Sequence, residues 1–364
     1  MTGFPTAFGR SARRIGVAGL AAVWLLGGGV VSNGARAQGA APAGATWPGS
    51  TVDAIKKRGQ LNCGVDVGVP GFASQDNSGR WQGLDISYCR AIAAAVLGDA
   101  EKVRFVATTT PARFTVLQSG EIDVLIRDST LTFTRSVQLG LDEVAVNFYA
   151  GQGFLVSKKL GVSKIADLNG ATICTLTGAT MELNIADFAK AHGTKIGTLL
   201  FDKADEAVAA METGRCDGYT DDTGSLAGMR STLKVPADWV VLDGVISKEP
   251  LGIHTRTGDA QWSKILFWVH GGLLTAEENG VTKANADEMK KTSTDPFVRR
   301  LLGAEGDFGK KMGLDDEWML RAIRAVGNYG EIYDQNFGPK ALDLPRGQNS
   351  LASKGGLQYA LPFR

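Results

Sequence analysis

The chain has 364 residues, with 39 basic and 38 acidic side chains and a formal net charge of +1. Its 44% apolar and 21% charged residues are typical of a soluble globular protein and exclude a disordered, collagen-like or polytopic membrane protein. The charge balance also excludes a polybasic nucleic-acid binder. The 47 glycines favour many turns and tight strand-to-helix connections over a helical bundle.

The first 37 residues have the pattern of a cleaved export signal. Three arginines among residues 10–14 precede an uncharged apolar run over residues 15–31, and Ala35-Arg36-Ala37 then fits the small-x-small cleavage rule. The alternative is a membrane anchor, but a run of about 17 residues with several glycines is short for a bilayer span. We therefore expect a signal peptide over 1–37, cleaved after Ala37.

What remains is a mildly acidic exported chain that is long enough for two domains. The signal segment holds four arginines and no acid, so its removal changes the net charge from +1 to −3. Residues 38–50 are rich in small residues and proline and predict a flexible tether. Cys63, Cys89, Cys174 and Cys216 fit two disulfides in any of three connectivities. A zinc site lacks the usual ligand spacing, and four free thiols are the remaining alternative.

In chain order, the hydrophobic pattern predicts strands that alternate with helices. The predicted elements of the first half are a helix over 52–58, a strand over 61–65, a helix from Asp85 to Leu97, a strand over 103–107, a helix from Pro111 that ends at Gly120, and a strand over 122–126. The second half begins with a strand over 173–176 and a helix over 183–191, and repeats the helix, glycine and strand unit at 204–213, Gly214 and 215–220. This alternation is typical of parallel α/β sheets, one per lobe.

Signatures of catalysis are absent from the sequence. It has none of the motifs G-x-S-x-G, H-E-x-x-H, G-x4-G-K-[ST] or G-x-G-x-x-G. The three histidines, His192, His254 and His270, have no base or ligand cluster at suitable spacing, which favours packed or solvated imidazoles. We therefore expect no enzyme, no metal site and no cofactor.

Polar residues that suit a zwitterion follow the predicted strands immediately. A polar run ends at Arg135 after the strand 122–126, and Asp221 and Asp222 follow the strand 215–220. Residues 177–180 begin a helix, where free amides favour an anion. Ligands of such sheets lie beyond the carboxyl ends of the strands, so these residues are candidate contacts for a carboxylate and an ammonium. The alternatives are a surface ion pair for Arg135 and a helix cap for the two aspartates.

Several segments resemble the family 3 extracellular solute-binding proteins of ABC importers. These segments are Gly71-Phe72, Gly79 to Ile86, Leu117 to Arg127, the polar run ending at Arg135, Gly214 to Asp217, and Asn328 to Tyr333. Ser247 to Gly252 and Arg346-Gly347 point to the general (polar) L-amino-acid-binding subgroup. The resemblance covers essentially the whole mature chain. It implies an α/β fold, the two-lobed periplasmic binding protein fold of type II, in which each lobe has a mostly parallel sheet flanked by helices and two hinge crossings join the lobes.

The resemblance also implies where the lobes begin and end. Lobe 1 would comprise residues 51–148 and 252–364, the latter with a C-terminal extension, and lobe 2 would comprise residues 149–251. Each lobe then contains one complete pair of cysteines. We therefore expect the disulfides Cys63–Cys89 and Cys174–Cys216, neither of which crosses the hinge.

By the same resemblance, Arg135 would clamp the α-carboxylate of the ligand with help from Thr130 and Thr180. Asp222 would accept the α-ammonium. The further implied contacts are the amides near Asp128 and Ala179, and the side chains of Asp66, Phe72 and Trp81 near the ligand side chain.

Two features of this implied set bear on specificity. Phe72 and Trp81 are equally consistent with core packing, because aromatic residues are more often buried for packing than for binding. Asp66 and Asp128 stand where asparagine is usual in the subgroup, which predicts weaker binding of anionic side chains such as those of glutamate and aspartate.

The function that the resemblance implies is the periplasmic substrate-binding component of an amino-acid ABC transporter. Such a protein captures L-amino acids by hinge closure and delivers them to an inner-membrane permease. We expect a monomer that binds no nucleic acid. Two alternatives stay open: a binding protein for an opine or other amino-acid derivative, and a periplasmic dehydratase-like enzyme on the same fold.

Overall fold

A computed structural model of the chain describes residues 50–364. The predicted signal peptide, its cleavage site and all but the last residue of the predicted tether lie outside the described residues. The strands are β1 (Leu61–Val65), β2 (Ser74–Gln75), β3 (Trp81–Gln82), β4 (Val103–Ala107), β5 (Val124–Thr130), β6 (Leu141–Ala150), β7 (Gln152–Ser157), β8 (Thr172–Leu176), β9 (Gly197–Phe201), β10 (Gly218–Asp222), β11 (Trp239–Val241) and β12 (Glu249–Arg256). The helices are α1 (Thr51–Arg58), α2 (Leu84–Leu97), α3 (Arg113–Gln118), α4 (Thr180–His192), α5 (Ala204–Glu212), α6 (Thr223–Ser231), α7 (Ala260–Glu278), α8 (Ala286–Thr292), α9 (Pro296–Leu301), α10 (Phe308–Lys311), α11 (Trp318–Val326) and α12 (Tyr329–Asn336).

Two five-stranded sheets define two lobes. The sheet of lobe 1 has the strand order β4-β1-β5-β12-β6, and the sheet of lobe 2 has the order β11-β7-β10-β8-β9. In lobe 1, β1 is parallel to β4 and β5, whereas β12 is antiparallel to β5 and β6. In lobe 2, β8 is parallel to β9 and β10, whereas β7 is antiparallel to β10 and β11. The two-lobed α/β fold is confirmed, but the sheets are mixed rather than mostly parallel.

The antiparallel strands are those that lead the chain from one lobe to the other. β6 ends at Ala150 and β7 begins at Gln152, so that Gly151 alone separates a strand of lobe 1 from a strand of lobe 2. The chain returns where β12 begins at Glu249. A Cβ atom on Gly151 would lie 2.8 Å from the carbonyl oxygen of Ser247, so the two crossings run in close contact.

Local sequence signals account for the starts of two helices of lobe 1. Ser50 accepts a hydrogen bond from the amide of Asp53 at the start of α1. α2 begins at Leu84, one residue before its predicted start at Asp85, and Gly83 precedes it with a φ of 135°. A Cβ atom on Gly83 would collide with the carbonyl oxygen of Phe72, so only glycine fits this approach.

The two predicted disulfides are confirmed. Cys63 of β1 is bonded to Cys89 of α2, with their Cα atoms 6.1 Å apart. Cys174 of β8 is bonded to Cys216, which lies in the turn before β10 rather than in a strand, with a Cα separation of 5.7 Å. Each bond therefore ties elements of a single lobe and leaves the crossings free.

The C-terminal helices complete the core of lobe 1. α7 packs against β6, and α11 packs against α2 and α7. Trp262 of α7 and Trp318 of α11 are buried in this core, and the indole N–H of Trp262 donates to the carbonyl oxygen of Asp123 at 2.9 Å. Within residues 50–364, no helix has both the length and the apolar character needed to cross a bilayer.

Candidate ligand-binding site

A small cavity lies between the lobes, at the carboxyl ends of the strands. It therefore lies where ligands bind in open α/β sheets. Lobe 1 lines it with residues that follow β4, end β5 or follow β5, namely Thr110, Arg113, Arg127, Asp128, Ser129, Thr130 and Arg135. Lobe 2 lines it with the end of β8, the start of α4 and one residue of β10, namely Leu176, Ala179, Thr180, Met181 and Asp221.

Five of the nine residues predicted to bind ligand line this cavity. They are Arg135, Thr130, Thr180, Asp128 and Ala179. The other four, Asp66, Phe72, Trp81 and Asp222, are not part of its wall. Its charged wall residues are three arginines, called the basic side below, and two aspartates, called the acidic side. The two groups meet where Arg127 lies 3.4 Å from Asp128.

Arg135 is the central group of the basic side. It lies in a single turn of π-helix over Thr134–Gln138 and is only 6% exposed. Its Nη1 atom donates to the carbonyl oxygen of Thr130 at 2.6 Å, and its guanidinium carbon lies 4.9 Å from the ring centre of Phe114. Burial lowers the pKa of Arg135 to about 10, so the group stays charged at neutral pH. A planar cation fixed in this way suits a carboxylate.

The hydroxyls of Thr130 and Thr180 are adjacent to this basic side, one from each lobe. Both donate to the same carboxylate oxygen of Glu249, Thr130 at 2.5 Å and Thr180 at 2.8 Å. Thr180 is the first residue of α4, and Ala179 before it provides no side-chain cap. The amides of the first turn of α4 are therefore available to an anion, and the helix dipole favours one there.

Asp128 and Asp221 form the acidic side of the cavity. Asp128 has a φ of 31°, in the left-handed region that Asp and Asn adopt more readily than most residues. It accepts a hydrogen bond at 3.3 Å from the hydroxyl of Ser225 in lobe 2. Burial raises the pKa of Asp128 to about 6, and burial together with repulsion from Asp128 raises the pKa of Asp221 to about 7. A bound cation would stabilise both carboxylates.

Asp222 caps a helix and does not line the cavity. It is the N-cap of α6, where Oδ1 accepts from the amides of Gly224 at 2.9 Å and Ser225 at 3.0 Å. Its Oδ2 atom accepts from the Ser225 hydroxyl at 2.7 Å. This is the helix cap that the sequence offered as the alternative for the two aspartates. Only Asp221 of the pair reaches the cavity, while Asp222 lies directly behind it.

The other three predicted contacts lie behind the cavity or outside it. Asp66 forms an ion pair with Arg127, which lines the cavity, and also accepts from the amide of Gly68. Phe72 is fully buried, with its ring centre 4.9 Å from those of Phe148 and Phe337. Phe72 is thus a core residue of lobe 1 that touches lobe 2, because a Cβ atom on Gly224 of α6 would lie 2.8 Å from its ring.

Trp81 lies on a different surface of the molecule. It belongs to the short strand β3, and its ring packs 5.9 Å from that of Phe105. It lines a surface groove together with Arg80, Arg90 and Glu101. Its groove shares no residue with the wall of the cavity between the lobes.

Arg113 is a residue of the cavity wall that the sequence did not single out. It is 2% exposed; its guanidinium donates to the carbonyl oxygen of Thr110 and, across the lobes at 3.2 Å, to that of Gly178. Its buried Nε atom has no partner among the described residues. Arg113 follows β4 by a few residues, so the strand-end rule that identified Arg135 applies to it equally.

The chemistry of the wall is that of a binding site for a small zwitterion. Residues 50–364 contain no group of three or more His, Cys, Asp or Glu side chains placed to hold a metal ion. The family of bacterial extracellular solute-binding proteins, family 3, matches residues 61–339 of the chain. The chain belongs to this family. The resemblance that its motifs indicated is thereby confirmed.

Individual relatives of this family member span nearly its whole length. The glutamate/glutamine/aspartate/asparagine-binding protein BztA of Rhodobacter capsulatus is 50% identical over 316 residues, which are 86% of this chain and 94% of BztA. The general L-amino acid-binding periplasmic protein AapJ of Rhizobium johnstonii is 46% identical over 331 residues, which are 90% of this chain and 96% of AapJ. A periplasmic binding protein of an ABC transporter from Brucella ovis, solved with glutathione bound, is 47% identical with a TM-score of 0.84 and covers 86% of this chain and 99% of its own.

Proposed function

We propose that the chain is the substrate-binding component of an amino-acid ABC importer. In this role it binds an L-amino acid between its lobes in the periplasm and delivers it to an inner-membrane permease. The observation that carries the proposal is the buried cavity with a basic and an acidic side at the lobe interface. Support also comes from BztA and AapJ, whose names state that they bind amino acids. Binding and release require no reaction of the ligand.

The charges of the wall assign an orientation to the ligand. The α-carboxylate binds to Arg135 and to the amides at the start of α4, where the helix dipole adds to the attraction. The α-ammonium faces Asp128 and Asp221, with Asp222 behind them. Opposite charges at the two sides of one buried cavity select against molecules that have only one of the two groups.

The surroundings of Arg113 favour a ligand whose own side chain carries a further hydrogen-bond acceptor. Its hydrogen-bond acceptors are two carbonyl oxygens and its Nε atom is unpaired, so the charge of a buried guanidinium has no direct acidic partner at hydrogen-bond distance. A side-chain carboxylate of the ligand would supply an acidic partner for Arg113, and an amide oxygen would supply a neutral acceptor. We therefore place glutamate, glutamine, aspartate and asparagine among the ligands, against the expectation that Asp66 and Asp128 disfavour acidic side chains. Asp66 is already paired with Arg127, so it does not oppose a ligand anion.

Closure of the lobes follows from contacts that only the two lobes together can make. Arg113 of lobe 1 binds Gly178 of lobe 2, and Ser225 of lobe 2 binds Asp128 of lobe 1. A ligand that touches both walls favours this closed arrangement by its differential affinity for it. The permease would then recognise the closed pair of lobes. The protein works as a monomer in this scheme.

A second candidate ligand is an amino-acid derivative such as glutathione. The observation that favours it is the glutathione in the Brucella ovis relative.

Calorimetry on the mature chain, refolded from denaturant to remove any bound ligand, tests the proposal. The titrants are the four acidic and amide amino acids, their α-amides and reduced glutathione. Arg135→Ala should weaken binding of the tightest amino acid by about 2–5 kcal/mol, that is roughly 30-fold or more, because one charge of a buried pair is left without its partner. The α-amide should bind weakly to the wild type, and Arg135→Ala should reduce the difference between the acid and its amide.

Arg80→Ala is the matched control, because Arg80 is a highly exposed arginine of the same lobe. It should leave every affinity unchanged. Normal amino-acid binding by Arg135→Ala would refute the assigned orientation. Binding of glutathione alone would replace the first candidate ligand by the second.

A further inference from the structure

Glu249 lies behind the ligand cavity at the point where the chain returns to lobe 1. It is the first residue of β12 and is paired in register with Ala150, the last residue of β6. These two residues therefore mark the lobe-1 ends of both crossings. The side chain of Glu249 is 1% exposed, so its carboxylate is withdrawn from water at the axis about which the lobes would turn.

The carboxylate of Glu249 is saturated by four donors from both lobes. Oε2 accepts from the hydroxyls of Thr130 in lobe 1, at 2.5 Å, and Thr180 in lobe 2, at 2.8 Å. Oε1 accepts from the side-chain amide of Asn184 in α4 at 2.8 Å and from the hydroxyl of Ser247 in the second crossing at 2.5 Å. Four donors match the number of lone-pair positions of a carboxylate.

We infer that Glu249 is a positioning residue of the ligand site, which fixes α4 of lobe 2 against β5 of lobe 1 in the closed arrangement. This inference rests on the proposed function, since it concerns the same cavity. Thr130 and Thr180 line the cavity, and a carboxylate can only accept, so Glu249 sets the direction of both hydroxyl hydrogens. Opening of the lobes must break the bonds from Thr180 and Asn184 to a buried charge, which slows the release of any ligand.

If Glu249 acts by holding the two lobes together, and not by contacting the ligand, its effect on dissociation should be the same for different ligands. Glu249 is not part of the cavity wall, so it does not contact the ligand side chain. Its removal should therefore accelerate the dissociation of different amino acids by the same factor. A residue that contacts the ligand side chain would change the factor from one amino acid to the next.

Stopped-flow displacement of L-glutamate and L-glutamine from the mature chain tests the inference. Glu249→Gln and Thr180→Val should each accelerate dissociation of both probes by at least about tenfold, because one hydrogen bond to a charged group is typically worth such a factor. The double variant should be no faster than the faster single variant, because the bond that Thr180→Val removes is one of those that Glu249→Gln disrupts.

Glu277→Gln is the matched control. Glu277 is a buried carboxylate bound to Arg346 within lobe 1, so its loss should affect stability without affecting dissociation. Unchanged dissociation in Glu249→Gln and Thr180→Val, factors that differ between the two probes, or multiplying effects in the double variant would each overturn the inference.

Small-angle scattering separates this inference from the proposed function. Without added amino acid, Glu249→Gln should have a larger radius of gyration than the wild type, and Glu277→Gln should not. If the wild type binds neither probe, the proposed function fails, and the scattering comparison alone decides the role of Glu249. Equal radii for Glu249→Gln and the wild type would overturn that role.

Discussion

Replacement of Asp221 by asparagine should change how the stability of the protein depends on pH. Asp221 lies on the acidic side of the cavity, 6% exposed and close to Asp128. Burial and the neighbouring charge raise its pKa from the ordinary value of 3.8 to about 7. Since the folded-state pKa lies above the unfolded value, the folded protein retains a proton that the unfolded chain has released. The stability that this proton provides is fully present below about pH 4 and is lost as the pH rises through 7.

The size of the effect follows from the difference between the two pKa values. Each unit corresponds to about 1.4 kcal/mol, so a difference of roughly three units amounts to about 4 kcal/mol. Asparagine has nearly the same shape and does not ionise. The free energy of unfolding of Asp221→Asn, relative to that of the wild type, should therefore rise by about 4 kcal/mol between pH 4 and pH 8.

The comparison between variant and wild type at each pH is needed because other buried groups titrate in the same range. Burial lowers the pKa of His254 from 6.5 to about 3 and that of His270 to about 4. Both histidines have folded-state values below the unfolded one, so they add stability as the pH rises from about 4 to 6.5. This contribution is common to both proteins and cancels in the difference.

Urea unfolding at one-unit intervals from pH 4 to pH 8, followed by circular dichroism, provides the measurement. The protein is first refolded from denaturant so that no bound amino acid contributes to stability. Asp187→Asn, at an exposed position of α4, is the control and should follow the wild type at every pH. If the difference in the free energy of unfolding between Asp221→Asn and the wild type did not vary with pH, Asp221 would not be a buried carboxyl group that keeps its proton up to about pH 7.

Three further changes test other parts of the structure. The double variant Cys174→Ser and Cys216→Ser opens a loop of 42 residues and should lower the free energy of unfolding in urea by about 4 kcal/mol. An unchanged midpoint of urea unfolding would contradict the disulfide. Asp222→Ala removes the cap of α6 and should lower the free energy of unfolding by about 1–2 kcal/mol, whereas Asp222→Asn should lower it less. Equal stability of the alanine variant and the wild type would refute the cap. Gly228→Ala should retain or raise the melting temperature, because alanine favours the helix α6. It should nevertheless weaken amino-acid binding in calorimetry, because its Cβ atom collides with the carbonyl oxygen of Pro70 across the lobes. Unchanged affinity would show that the lobes need not approach this closely.

The positions in the cavity wall that the sequence indicated depend on short stretches of chain or on the rule that ligands lie beyond strand ends. The end of β5 brings Asp128 and Thr130 to the cavity, and Arg135 follows within one turn. The start of α4 brings Thr180 there in the same way. The pairing of the four cysteines was also predictable, because each lobe contains one complete pair and the elements that carry it are close in sequence.

Tertiary structure alone decided which of two adjacent aspartates lines the cavity. Successive side chains of a strand point to opposite sides, so the register of β10 against β7 and the point where α6 begins separate Asp221 from Asp222. The two residues themselves determine neither the register of β10 nor the start of α6. The direction of the strands at the crossings, and hence the mixed character of both sheets, likewise depends on partners about 60 to 130 residues away.

The same reason explains why Glu249 and Arg113 were not identified from the sequence. Glu249 receives hydrogen bonds from Thr130 and Thr180, which lie 119 and 69 residues away, and Arg113 donates to Gly178 from 65 residues away. A buried charge is tolerated only where several donors or acceptors converge on it, and that convergence arises when two lobes close on each other. Local sequence determined which side chains stand at the strand ends; packing of the lobes determined which of them share one cavity.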